Sequence, residues 1–587
     1  MKKFLFTWLV GAFLILQGPA FAQEIIRGTV LDQSTMEPLP GATVRVEGAQ
    51  NLEITDENGQ FSLTLSEGNY QLTVSFIGFG TQTVDLSIPL KEEIRIVLVP
   101  SDMELQGVEV VATGYQELPK ERVTGSFVSV DEELLNRSVS PDILSRLENV
   151  TSGLLINPRA GVEDRISIRG KSTFFANSQP LIVVDNFPYD GPLENINPND
   201  VEQVTVLRDA AAASIWGARA GNGVIVITTK NGRYNQPLKV SFNANTRLFE
   251  KPDAFYAQNM SPADFLEVEE LLYSRNFYNS ALNSRNQDAI TPGVELFHAL
   301  KNGEITQEEA DRQLAFLRAQ DLRQDINRYI YQPQLDQQYA LQVSGGDQRQ
   351  RYGISLGYDQ SRENIQGNDR HRITFKGNQE FKFWKERLTF SNQIALIRNK
   401  ATTRNQGLNG LIFTGLTETY PYARLADAQG NPLPVVRNFR QRFVQEAAQQ
   451  GLLNWEYFPL KDIGESVNST TSNEFRWTSA LIFQPLKSLS VELSYQYWAN
   501  NQLGENFNSP ESYFSRNLIN TYTQIREDGS LVYPVPLGAI LNRNSNEGES
   551  HQFRSLIRYS LKTGNHQLNV LGGFEAKDYQ LNSYSTN

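Results

Sequence analysis

The sequence predicts a mainly β protein with a small N-terminal β-sandwich, an α+β domain, and the N-terminal part of a transmembrane antiparallel β-barrel. Three observations carry this. Short β-rich runs separated by turn chemistry fill residues 25–98. Two-residue alternation of apolar and polar side chains recurs from about residue 238 to the end. Beyond residue 22 no apolar stretch is long enough for a membrane-spanning helix, so a mature chain that crosses a membrane must do so as a closed barrel that satisfies its own backbone hydrogen bonds. With 587 residues, 40% hydrophobic and no cysteine, the chain is neither a disordered tail nor a disulfide-stapled miniprotein, and it spans several domains. A formal charge of -12 leaves no basic excess to neutralise phosphates, which excludes nucleic acid as a partner. The histidines His298, His371, His551 and His566 lie far apart, without metal-ligand spacing. Without cysteine there is neither a thiolate zinc site nor a Cys nucleophile, so no metal, cofactor or catalytic residue is expected.

The first residues set the compartment. Lys2 and Lys3 form a positive start, residues 4–16 a short apolar core, and Ala20-Phe21-Ala22 a small-residue cleavage signal. The apolar run is shorter than the ~18 residues of a spanning helix, so residues 1–22 read as an export signal cleaved before Gln23. No cysteine follows that could carry a lipid.

Residues 23–100 form the predicted sandwich. The runs IIRGTVLD, ATVRVEG, GQFSLTL, NYQLTVSFIGF, TQTVDLSI and EIRIVLV are broken by Pro38-Leu39-Pro40-Gly41, Asp56-Glu57-Asn58-Gly59 and Glu67-Gly68-Asn69. Turn signals at this spacing imply a small antiparallel sandwich. The ordered segments GTVLD, PLPGATV, TDENGQF and VSFIGF resemble the carboxypeptidase-regulatory-like domain at the front of many exported proteins of Bacteroidota. That name refers to an accessory domain and implies no peptidase activity.

Residues 101–122 read as a linker containing a β-prone stretch, Val108, Glu109, Val110, Val111, Ala112, Thr113 and Gly114. Composition alone fits an ordinary strand or linker. The position, after one domain and before the next, also suits an exposed strand that a partner captures through main-chain hydrogen bonds.

Residues 123–233 alternate short β-runs with two helical stretches. Ser140-Pro141 ahead of DILSRLENV predicts a helix with proline at its first position, and Asp209-AAAASIW predicts a second short helix. LIVVD, VEQVTVLR and GVIVITTK read as strands. Gly217, Gly221 and Gly223 follow a helix and precede a strand, the reverse of a phosphate-binding loop, so nucleotide binding is not expected. The ordered motifs RISIRG (165–170), PLIVVD (180–185), NPNDVE (197–202), LRDA (207–210) and WGARAGNGVIVITTK (216–230) closely resemble the plug domain of TonB-dependent outer-membrane transporters, specifically the SusC/RagA-like importers of Bacteroidota. The sequence departs from that family at Asn186, where Gly is usual, at Trp216, where Tyr is usual, and at Gly221, often Ala. The turn after Asp185 is expected to differ in shape.

The resemblance implies that residues 108–114 are the TonB box. It also implies that Arg169, Gly170, Asp185, Arg208, Asp209, Gly217, Arg219 and Gly223 hold the plug together or latch it to a barrel wall. TonB with its inner-membrane motor complex, a SusD-like surface lipoprotein, an oligosaccharide or peptide substrate and outer-membrane lipid are the implied partners. The implied location is the outer membrane, with plug and N-terminal domain facing the periplasm. No substrate-binding residue follows from the sequence.

Residues 234–587 read as barrel strands and large loops. In 489–497 the odd positions are Leu, Val, Leu, Tyr and Tyr, and the even ones Ser, Glu, Ser and Gln. Similar alternation marks 238–244, 339–343, 352–358, 372–383, 388–396, 475–483, 552–562 and 567–577. Alternation alone equally fits a half-buried soluble sheet. Charged residues on one face and aromatics near strand ends, such as Tyr497 and Trp498, favour an apolar-out, polar-in barrel. Ser261-Pro262-Ala263-Asp264 and Thr306-Gln307-Glu308-Glu309 signal helix starts in a long insertion. The loop aromatics Tyr420, Tyr422, Trp455, Tyr457, Phe458, Tyr513 and Phe514 either stack on a sugar or pack the loops. About nine alternating segments are visible against the ~22 strands of a plugged transporter, and no terminal aromatic strand is present, so C-terminal truncation is expected.

The implied function is TonB-energised import of nutrients, most readily oligosaccharides, with no enzymatic step. The alternative is an outer-membrane receptor that senses ligand without transporting it, but the N-terminal sandwich does not resemble a dedicated signalling domain. A secreted glycan-binding or peptidase-like protein is suggested only by the sandwich's family name.

Overall fold

The computed structural model describes residues 23–46, 52–76, 79–90, 93–99, 110–115, 117–119, 126–148, 150–157, 165–170, 178–209, 214–411, 419–563 and 566–586. The chain divides into two compact units, residues 1–110 with 119–121, and residues 111–118 with 122–587.

In the first unit β1 (Gln23–Asp32), β4 (Gln60–Ser66) and β7 (Ile94–Leu98) form one sheet in the order β4-β1-β7. The other sheet orders β3 (Leu52–Ile54), β2 (Thr43–Val46), β5 (Gly68–Ser75) and β6 (Gln82–Ile88) as β3-β2-β5-β6. Alternate residues such as Phe61, Leu63 and Leu65 on β4 point inward to meet Val30, Val44 and Leu72. The expectation of an antiparallel sandwich needs one correction: β1 and β7 pair in parallel. The chain arrives at β7 from the opposite sheet instead of through a hairpin, which frees it to run alongside β1.

Where the second unit opens, β8 (Val110–Ala112) and β9 (Glu117–Pro119) form a two-stranded sheet. An α+β domain follows. Its sheet comprises β10 (Phe127–Asp131), β13 (Leu181–Val184), β14 (Phe187–Pro188), β15 (Val201–Leu207) and β16 (Val224–Thr229), ordered β10-β15-β16-β13-β14. Strands β11 (Leu154–Ile156) and β12 (Ile166–Ile168) form a separate ribbon. Val130, Leu144, Val184, Val204 and Ile225 are core residues of this domain. The helix predicted to begin at Pro141 spans Ile143–Leu147. Asp142 is its N-cap, because its carboxylate accepts from Leu144 N at 3.2 Å and so fixes the helix start beyond the proline. Of the second predicted helix, residues 210–213 lie outside the described residues, and Ser214–Ala220 is 3-10 helical with a kink at Gly217.

The remaining strands are β17 (Lys239–Leu248), β18 (Leu335–Gly346), β19 (Gln350–Arg362), β20 (Asp369–Phe383), β21 (Leu388–Thr403), β22 (Ser466–Leu486), β23 (Leu489–Asn508), β26 (Ile540–Thr563) and β27 (His566–Thr586), with the small ribbon β24 (Gln524–Ile525) and β25 (Leu531–Val532) inserted ahead of β26. The nine long strands pair consecutively and antiparallel in one sheet from β17 to β27. These nine correspond one for one to the nine alternating segments of the sequence, lengthened at their ends. One face of the sheet is polar and covered: Arg372 is 4% exposed, Thr374 3% and Gln496 3%. The opposite face is apolar and open: Ile373 is 53% exposed and Leu356 48%. A soluble half-buried sheet does the reverse, so this inverted polarity resolves the two readings of the alternation in favour of a lipid-facing outer surface. Among the described residues no helix is long and apolar enough to cross a membrane. Trp498, expected among the outward aromatics, instead faces inward at 4% exposure, because it shares the even-numbered phase of Ser494 and Gln496.

Connections alternate in length. Residues 347–349, 384–387 and 487–488 make short turns at one end, whereas 249–334, 404–465 and 509–539 make long excursions at the other. Short periplasmic turns and long outer loops are the pattern of outer-membrane barrels. The three excursions fold together. Leu266, Phe297 and Leu314 from the first, Tyr422, Leu425 and Trp455 from the second, and Tyr513 from the third share one core. Helices Pro262–Ser274 and Gln307–Arg318 start at the predicted signals, with Ser261 and Thr306 accepting from Asp264 N and Glu309 N. Tyr420, Tyr422, Trp455, Tyr457 and Tyr513 are all buried here, so five of the seven loop aromatics pack the cap, while Phe514 is exposed.

Candidate functional site: the plug, its tether and the lumen cavity

Each of the nine strands touches the α+β domain or the segment before it through the polar face. Arg247 on β17 donates to Val139 O at 2.9 Å, and Gln342 on β18 to Asn199 O at 2.8 Å. Asp200 accepts from Ser355 on β19. Arg372 on β20 donates to Glu194 O at 2.8 Å and Ile196 O at 3.1 Å, while Asp359 on β19 holds its guanidinium at 2.7 Å. Gln393 on β21 reaches Asp185, and Glu474 on β22 accepts from Tyr189 at 2.7 Å and Asn195 at 2.9 Å. Trp498 on β23 joins the domain's core, Gln552 on β26 donates to Pro188 O, and Lys577 on β27 pairs with Asp190. Burying polar groups is costly unless they are paired, and at these contacts strand and domain supply one another's partners.

The candidate tether lies where this interface meets residues 112–115. Val108 and Glu109 fall outside the described residues, and Val110 and Val111 lie in β8. Ala112 and Thr113 are buried, and Gly114 adopts φ 86°. A side chain on Gly114 would strike the Trp216 ring at 2.5 Å, so only glycine permits this approach. Trp216 Nε1 donates to Thr113 O at 3.0 Å. Arg554 on β26 donates to Gly114 O at 3.2 Å, pairs with Glu575 at 2.7 Å, and stacks on the rings of Tyr115 and Phe187 at 4.2 and 4.8 Å. Arg558 donates to Tyr115 O at 2.9 Å, and the Tyr115 hydroxyl donates to Glu575 at 2.9 Å. Burial pushes that hydroxyl up to about 12, so it stays a donor at neutral pH. Residues 113–115 are therefore held through their three main-chain carbonyls, ring contacts and the Tyr115–Glu575 hydrogen bond, and Ala112 packs in the core beside Trp216.

The other sequence-predicted residues occupy separate places. Asp185 and Asn186 have φ 47° and 73°, and β13 and β14 pair Val184 with Phe187 across them. Positive φ at both central residues defines a type I′ hairpin turn, which asparagine adopts readily, so the missing glycine is tolerated. The Asp185 carboxylate accepts from Thr229 N at 2.9 Å and Thr229 Oγ1 at 2.8 Å. Burial opposes its charge, yet Lys376, Arg476 and the Thr229 hydrogen bonds hold it below the usual carboxylate range. Arg208 donates to Ser152 O at 2.8 Å and Asp209 accepts from Ser126 N at 2.5 Å. Arg169 has φ 58° and donates its amide to Gly153 O at 2.8 Å; Gly170 and Gly217 have φ 95° and 59°. Gly223 has φ 88°, and a Cβ there would meet Leu207 O at 2.9 Å. Among the described residues Arg219 has no hydrogen-bond or ion-pair partner. Sequence reasoning missed Arg372, Lys376, Arg554 and Glu575, whose only signal was a charged residue at an inward phase of a strand, and Arg146, which sits in the helix Ile143–Leu147 and donates to Asn199 at 3.1 Å.

Between domain and sheet lies a cavity of about 1040 Å³. Its wall carries Asn399, Ser472, Asn500, Gln502 and Asn546 from the strands and Asn195 from the domain, with Trp498 and Tyr579 stacked at 6.3 Å. Trp498 Nε1, Asn195 Oδ1 and Asn399 Oδ1 are buried there without a hydrogen-bond partner among the described residues. No group of three or more His, Asp or Glu side chains suited to a metal occurs among the described residues.

Two family descriptions match the chain, a CarboxypepD_reg-like domain over residues 26–111 and a TonB-dependent Receptor Plug Domain over 119–224. TonB-dependent receptor P39 of Formosa agariphila is 27% identical over 588 residues, covering 96% of this chain and 50% of that protein. TonB-dependent receptor SusC of Bacteroides thetaiotaomicron is 29% identical over 412 residues, covering 68% of this chain and 36% of SusC. The chain thus spans half or less of the length of these relatives. In fold it resembles the RagAB peptide importer, with TM-score 0.58, 17% identity, and coverage of 81% of this chain and 53% of that one in the open-open state. The closed-closed state gives TM-score 0.56 at 18% identity, covering 79% and 49%.

Proposed function

We infer that this chain, a homologue of SusC-type TonB-dependent receptors that carries their plug domain, serves in the TonB-energised import of nutrients across the outer membrane. The observation that carries the reading is the tether: residues 112–115 are fixed by Trp216 of the plug and by Arg554 and Arg558 of the sheet at once. Force applied ahead of residue 112 acts first on those hydrogen bonds, and through Trp216 on the plug. Residues 108–114 are the proposed TonB box, offered to TonB as an added strand with little demand on side-chain identity.

The substrate in this reading is an oligosaccharide held in the lumen cavity. Neutral amides and hydroxyls match sugar hydroxyls, and the stacked Trp498–Tyr579 pair offers a ring face of the kind that packs on a pyranose. A SusD-like surface lipoprotein closing over the cap formed by the three long excursions is the proposed delivery partner. Arg169, Gly170, Asp185, Arg208, Asp209, Gly217 and Gly223 are proposed as structural or latch residues of the plug. The outer membrane is the proposed location, with plug and N-terminal domain facing the periplasm. Deleting residues 109–114 tests the coupling: uptake of the growth-supporting oligosaccharide is expected to vanish while cell-surface binding persists. Unchanged uptake would contradict it.

A further inference from the structure

Charge on the cavity wall is unevenly compensated. Five ionic side chains line it: Arg165, Asp190, Glu194, Arg219 and Arg370. Glu194 is taken by Arg165 at 2.6 Å, and Asp190 by Lys577. Arg165 is further engaged by Asp142 at 3.1 Å. Arg219 and Arg370 remain, and among the described residues neither has a hydrogen-bond or ion-pair partner. They come from opposite sides of the space, Arg219 from the plug segment Ser214–Ala220 and Arg370 from β20. Arg370 shares the inward phase of Arg372, Thr374 and Lys376, and its cross-strand neighbours are Ser361 and Ala401, neither of them acidic. Three other arginines on this polar face are paired with carboxylates: Arg372 with Asp359, Arg554 with Glu575 and Arg558 with Glu492. A guanidinium presents paired donors in a planar fork that matches a carboxylate or sulfate.

We propose that the lumen cavity selects an anionic oligosaccharide, whose carboxylate or sulfate groups are taken by Arg219 and Arg370 while its sugar rings meet the amides and the Trp498–Tyr579 stack. The proposal rests on the import reading and names the class of substrate that site takes. An acidic peptide would satisfy the arginines and the amides, but it has no pyranose ring to lie on the Trp498–Tyr579 stack.

The test is calorimetric binding to the native outer-membrane protein in detergent. Probes are trigalacturonate, its fully methyl-esterified form, a sulfated galactotriose, neutral galactotriose and triglutamate. Trigalacturonate or the sulfated trimer is expected to bind at least about tenfold more tightly than its uncharged counterpart, the scale of one charge-assisted hydrogen bond. Which of the two shows the preference identifies the anionic group. Arg219→Gln with Arg370→Gln is expected to erase the preference, and Arg370→Lys to retain part of it. Correct outer-membrane insertion and heat-modifiable mobility of each variant verify folding. Equal binding of charged and uncharged trimers overturns this inference alone. Triglutamate binding more tightly than either charged sugar overturns it in favour of peptides, and binding of no sugar overturns it together with the oligosaccharide reading.

Discussion

Trp216 and Arg554 together decide how firmly residues 112–115 stay docked. Trp216→Phe keeps an aromatic ring but removes the donor to Thr113 O. A net hydrogen bond is worth about 1 kcal/mol, so amide hydrogen exchange at 113–115 should accelerate about fivefold with the plug core unaffected; unchanged exchange would show that the ring alone does the holding. The cap contains a residue whose charge opposes folding. Glu269 is 2% exposed, and burial pushes its carboxyl up to about 7, although Thr291 and Tyr422 donate to it at 2.5 and 2.7 Å. A raised acid contributes stability fully below its unfolded value, near 4.5, and loses it as pH rises to the folded value. The cap is therefore predicted to weaken by up to about 3 kcal/mol between roughly pH 4.5 and 7. Glu269→Gln should flatten that dependence in thermal melts, and a melt that is flat for the native protein would contradict it. Little of this is legible in the sequence, since neither a tryptophan near a glycine-rich turn nor a glutamate in a helix announces what will pack over it.

Glycines in the plug separate by the space around them. Gly223, between the 3-10 helix and β16, combines φ 88° with backbone only 2.9 Å from where a Cβ would sit, whereas a Cβ on Gly221 would meet only Ala218 O at 3.6 Å. Gly223→Ala should cost more than about 1 kcal/mol, and Gly221→Ala should be near neutral, as read by the yield of protease-resistant plug in membranes. Equal yields would refute the steric argument. At this scale the sequence is most informative. Period-two alternation locates all nine long strands because an inward polar and outward apolar face leaves a strong signature, and Ser261 and Thr306 mark helix starts because their caps are local. Pro141 misleads, since proline at a helix start and proline just ahead of an Asp cap read alike. The parallel β1–β7 pairing escapes because register between distant strands leaves no local trace. Asn186 stands out in the sequence as a departure, but only the backbone shows its type I′ turn.

Across the whole second unit, the polar face of a nine-stranded sheet grips a plug, a cap closes over the long-loop end, and a cavity with aromatic and amide walls lies between plug and sheet. The plug motifs are legible in the sequence because they form one contiguous block. The cap core is not, because it joins Leu266, Trp455 and Tyr513 from three separate excursions, and Trp498 at a strand end reads as an outward aromatic although it lines the cavity. Transport in this protein requires, on the import reading, that residues 112–115 come away from the sheet. The chain contains no cysteine, so Tyr115→Cys with Glu575→Cys provides a unique thiol pair at a native contact. The deciding experiment is uptake by cells whose paired thiols are joined by a reducible bis-maleimide linker, with each single variant as control. Uptake is expected to stop on linking, while surface binding continues, and to return on reduction. Undiminished uptake by the linked protein would contradict the tether's role.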